Sequence, residues 1–88
     1  MLVAIGEHNT LTLPATAYTL TKPAGATHVA MQVTVQNAKY RVNGTSPTAM
    51  SGFTLYSTGD ERLMEVVGDI IVIRVASGAI LDWQWFGR

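Results

Sequence analysis

The sequence predicts an all-β fold, a small β-sandwich or jelly-roll-like barrel of about 7–8 short antiparallel strands. Three observations carry that expectation. Apolar residues recur with a period of two, turn-forming residues punctuate the chain at short intervals, and no stretch of helix length repeats at i, i+3, i+4.

The clearest alternation runs from His28 to Val35. Val29, Met31, Val33 and Val35 fall on one face and His28, Ala30, Gln32 and Thr34 on the other. Successive side chains of an extended chain point to opposite faces, so this is the pattern of a strand buried on one side. Ile71, Ile73 and Val75 alternate with Val72, Arg74 and Ala76 in a second strand. The segment Ala79 to Phe86 sets Leu81, Trp83 and Trp85 on one face and Ile80, Asp82, Gln84 and Phe86 on the other. Shorter strands are expected over 2–5, 10–13, 18–21, 39–42, 53–56 and 62–67, the last being the weakest pattern.

Between these runs lie Pro23-Ala24-Gly25, Asn37-Ala38, Asn43-Gly44, Ser51-Gly52, Thr58-Gly59-Asp60, Gly68-Asp69 and Ser77-Gly78. Asn43-Gly44 is a tight-turn dipeptide, because both residues tolerate positive φ. The longest irregular stretch, Asn43 to Gly52, is polar and contains Pro47. It reads as a contact loop or as a plain wide connection.

The 88 residues allow one domain, 1–88, in which residues 1–20 are a docking arm or an edge strand. A chain this short buries a modest core and commonly needs a staple. It has no cysteine and only two histidines, His8 and His28, so neither a disulfide nor a Cys/His zinc site is expected. Oligomerisation is the staple that remains.

Charged residues make up 14% of the chain, against roughly 25% in an average domain. Either neighbouring subunits cover part of the surface, since interface cores are poor in charge, or the monomer carries a neutral, Thr-rich surface. Six basic residues balance six acidic ones. Lys22, Lys39, Arg41, Arg62, Arg74 and Arg88 are scattered singly, which argues against a nucleic-acid ligand. No apolar run approaches the length of a membrane span, and MLVAIGEHNT lacks the basic and long apolar regions of a signal peptide. The chain is expected to be used in a cytoplasm or carried out within a larger particle.

No catalytic set is legible. There is no Gly-x-Ser-x-Gly elbow and no phosphate-binding loop. Asp60-Glu61 and Asp69 sit in turn contexts, and the sequon at Asn43-Gly44-Thr45 has no leader to give it meaning. Catalytic, metal and cofactor-binding residues are therefore expected to be absent. The aromatic cluster Trp83, Trp85 and Phe86 has three readings: core, subunit interface, or a platform for sugar rings.

The run PAGATHVAMQVTVQNAKYRVN from Pro23, followed by GTSPTAMSGFTLYSTGD, resembles small structural proteins of bacteriophage particles. The shared elements are Pro23 to Ala26, the alternating strand Val29 to Val35, Tyr40-Arg41, Gly44 to Ala49, Gly52 and Gly59-Asp60. The later Ile70 to Ala76 strand and Gly78-Ala79-Ile80-Leu81 also fit, whereas the first 20 residues depart from the pattern.

The resemblance implies a capsid decoration or cement protein that binds and stabilises the assembled head. The alternative is a head–tail or tail-fibre accessory module recognising a partner protein or a carbohydrate. It further implies a virion location after synthesis in the host cytoplasm, and a homo-oligomer, with a trimer favoured. Other virion proteins are the implied partners, and no nucleic acid, membrane or cofactor is. Contact residues expected from residue type are Met50, Phe53, Trp83, Trp85 and Phe86, with Asn43 and Pro47 in the loop.

Overall fold

The structure, a computed structural model, describes residues 1–42, 52–58 and 61–88. Among these the strands are β1 (Val3–Thr12), β2 (Tyr18–Leu20), β3 (Ala26–Thr34), β4 (Ala38–Arg41), β5 (Phe53–Leu55), β6 (Arg62–Glu65), β7 (Ile70–Arg74) and β8 (Ile80–Gly87). No helix occurs among the described residues. The 43–52 loop up to Ser51, with Asn43, Pro47, Met50 and the Asn43-Gly44 turn, lies outside the described residues, as does Gly59-Asp60.

The strands form two antiparallel four-stranded sheets, ordered β1-β8-β3-β6 and β2-β7-β4-β5. Pairing is nested: β1 with β8, β2 with β7, β3 with β6 and β4 with β5. Two further pairings, β3–β8 and β4–β7, complete the sheets. The topology is that of one long antiparallel ribbon rolled on itself, the jelly-roll arrangement. Only β4 and β5 are successive strands of the same sheet; every other connection crosses between sheets at one end of the sandwich or the other.

The alternating residues supply the core. Val29, Met31 and Val33 of β3 and Leu81, Trp83 and Trp85 of β8 point inward from the first sheet, against Leu20, Ala38, Tyr40, Leu55, Ile70 and Val72 of the second. Among the described residues no polar or charged residue is buried. Tyr40 keeps its hydroxyl satisfied by accepting from Arg62 Nη1 at 2.9 Å, and that guanidinium lies 5.9 Å from the ring centroid. Both contacts tie β6 of one sheet to β4 of the other.

Three local features differ from the sequence expectation. The strands expected at 2–5 and 10–13 are one strand, β1, interrupted by a bulge between Ile5 and Asn9. Gly6 takes φ 73° there, which glycine adopts without a Cβ clash. Gln84 closes the bulge: its amide nitrogen lies 3.1 Å from the carbonyl oxygen of Ile5 and 3.2 Å from that of Gly6. Val35 shares the alternation of β3 but leaves the strand, with φ 73° and 62% exposure. The inward face of β7 is carried by Ile70 and Val72, while Ile71 and Ile73 are half-buried on the outer side.

Candidate functional site

The aromatic residues separate by parity. Trp83 and Trp85 are 8% and 5% exposed and belong to the core, with Tyr18 packed 6.0 Å from Trp83. This removes both tryptophans as surface contacts and as a sugar platform, because their strand face is the one the second sheet covers. Phe86, one residue on, points outward and is half-buried. Phe53 is 62% exposed at the start of β5, with its ring 5.6 Å from Tyr40.

Apart from Leu63 within β6, the other exposed large apolar side chains among the described residues lie at the ends of the sandwich. At one end, Asn37 ties three connections together: its carbonyl accepts from Val75 N at 3.0 Å and its side-chain oxygen from Ser57 N at 2.7 Å. Val35, Tyr56 and Val75 stand exposed around it. At the opposite end Val3, Val67 and Phe53 are exposed. Burying such a side chain against a neighbour contributes about 1.5–3 kcal/mol, so several per contact are needed to offset the cost of association.

The outer face of the first sheet carries the polar constellation. Asp82 sits in the middle of β8, opposite Thr10 of β1 and Gln32 of β3. Its Oδ1 accepts from the Thr10 hydroxyl and lies 3.2 Å from His8 Nε2. Two positions along β8, the Gln84 amide is held on three backbone carbonyls, those of Ile5, Gly6 and Trp85. Two further on lies Phe86, opposite Ala4 and His28. His28 Nδ1 is 2.8 Å from Thr27 Oγ1. A shallow trough of about 240 Å³ runs over this face. His8, Gln32, Glu61, Asp82, Gln84 and Phe86 contribute to its lining.

The geometry of this face is not that of a nucleophile–base–orienter chain. Thr10 and His8 meet the same carboxylate oxygen, so the hydroxyl is not held on the imidazole. A nucleophile–base–orienter chain needs the hydroxyl on one ring nitrogen and the carboxylate on the other. No group of three or more metal-ligating side chains occurs among the described residues. Sequence reasoning noted His8 beside Glu7 and Asp82 between Leu81 and Trp83, but it did not bring them together. They are 74 positions apart, and only the β1–β8 register aligns them.

Comparison of the chain with protein-family models, with curated proteins and with solved structures finds no match.

Proposed function

We propose that the protein is a bacteriophage virion structural component, a decoration subunit that binds the assembled head and stabilises it by covering surface. The observation that carries this reading is the set of apolar side chains exposed at the two ends of a sandwich whose own core is complete. Val35, Tyr56 and Val75 at one end, and Val3 and Val67 at the other, lie outside the described core, and Phe53 beside them is 62% exposed although its ring packs on Tyr40. A subunit with two such ends can bridge two neighbours. Each contact buries apolar area and raises the barrier to their separation. The jelly-roll arrangement recurs in viral capsid domains, which supports the reading by analogy of fold alone. The resemblance of residues 23–81 to small phage structural proteins supports it from the sequence side.

The test is the mass of the purified protein by light scattering on a sizing column. A closed oligomer is expected, with a trimer at three times the 9.5 kDa chain. Substituting Tyr56 and Val75 together by Ser, or Phe53 and Val67 together by Ser, is expected to dissociate it while leaving the circular dichroism of the sheet unchanged. A monomer that also fails to bind heads assembled from the capsid protein of its own phage would remove the proposal.

A further inference from the structure

We infer that the trough on the outer face of the first sheet binds a neutral saccharide of one or two rings. The inference rests on the lining of that trough alone and holds whether or not the chain is carried on a particle.

The argument begins with parity. β8 is an interior strand of its sheet, flanked by β1 and β3, so its outward side chains lie in the middle of a broad face. They are Ile80, Asp82, Gln84 and Phe86, the last three spanning about 13 Å along the strand at 3.2–3.4 Å per residue. Beyond Ile80 the strand departs from a run of β-branched residues. Here it carries a carboxylate, an amide and an aromatic ring in line, all half-buried. Their neighbours across the strands are small or polar: Ala4 and His28 beside Phe86, Ala30 beside Gln84, Thr10 and Gln32 beside Asp82.

The polar groups are held in place before any ligand arrives. Asp82 is fixed by Thr10 and by His8, and Gln84 by three carbonyls. Such preorganisation lowers the entropy lost on binding.

The lining selects the ligand. Asp82 and Glu61 accept hydrogen bonds, the Gln32 amide carries both a donor and an acceptor, and the His8 ring, whose Nε2 is turned to Asp82, offers Nδ1. A hydroxyl also donates and accepts, so a ring bearing several hydroxyls matches this mixture. A cation would need acceptors alone, and it would meet the amide donor of Gln32 without benefit. An anion would meet two carboxylates, and no Lys or Arg contributes to the lining. Phe86 and the Ala30 methyl supply an apolar floor for the C–H face of a sugar ring. At about 240 Å³ the trough is smaller than the roughly 300–1,000 Å³ of pockets for drug-sized ligands, which suits a small ring.

The experiment is a titration of the isotopically labelled full chain, followed by amide NMR shifts. The probes are glucose, galactose, N-acetylglucosamine, maltose, lactose and chitobiose, each to about 50 mM, above the millimolar constants expected of so small an interface. At least one sugar is expected to give saturable shifts centred on residues 80–86, 30–32 and 8–10. Phe86→Leu, which keeps apolar volume but loses the ring, and Gln32→Ala should each weaken that binding at least tenfold with an unchanged melting temperature. Phe53→Ala, on the other sheet, should not affect it. Absence of saturable shifts with all six sugars overturns the inference, as do shifts centred elsewhere. Tighter binding of Nα-acetyl-lysine methylamide than of any sugar also overturns it, by assigning the trough to a basic side chain of a partner protein.

Discussion

At the scale of single residues, parity decides more than type. Trp83, Trp85 and Phe86 lie within four positions, yet two fill the core and one faces outward, because the strand turns each side chain opposite to the last. Val35 shows where parity stops. It continues the alternation of Val29, Met31 and Val33, but its φ of 73° puts a β-branched residue in the left-handed region. That conformation costs an ordinary side chain about 1–2 kcal/mol and costs asparagine much less. Since Val35 is mostly exposed, replacing it gives up little burial. Val35→Asn is therefore expected to stabilise the fold by about 1 kcal/mol, raising the melting temperature by roughly 5 °C in a domain of this size. A thermal melt followed by circular dichroism checks it, and a lower melting temperature would mean that the contacts of Val35 near Gly78 outweigh the strain.

At the scale of elements, β1 behaves as part of the fold. Residues 1–20 were legible as an arm or an edge strand, and the structure makes residues 3–12 the edge of the first sheet, with Ile5 and Leu11 packed against the core. An open edge invites pairing with another chain, and the bulge at Gly6 interrupts its regular row of backbone groups. Deleting residues 1–12 would turn β8 into an edge and uncover Trp83 and Trp85. The expected outcome is a chain that aggregates or loses its cooperative melt, measured by calorimetry and light scattering. A dispensable arm would leave the melt in place.

At the scale of the whole molecule, nested pairing sets the folding problem. Val3 pairs with Gly87, so forming the outermost ladder closes almost the entire chain into a loop. Local contacts are few, because only β4 and β5 form an in-sheet hairpin between successive strands. All-β proteins dominated by distant pairings fold in milliseconds to seconds. Refolding from urea is expected in that range, slower than for helical domains of equal length, and stopped-flow Trp fluorescence reads it directly through Trp83 and Trp85.

The sequence by itself determined the class of fold, the number of strands within one or two, and the inward faces of β3 and β8. These follow from period-two alternation and turn residues, which are local properties of the chain. It also marked Phe53 and Phe86 as contact candidates by type. Only the tertiary structure decided that the second sheet covers Trp83 and Trp85, that residues 3–12 are one bulged strand, and that His8 and Thr10 meet Asp82. Those outcomes depend on which strands pair and in what register. Register is fixed by packing between residues far apart in the chain, such as Val3 with Gly87, and no local pattern encodes it.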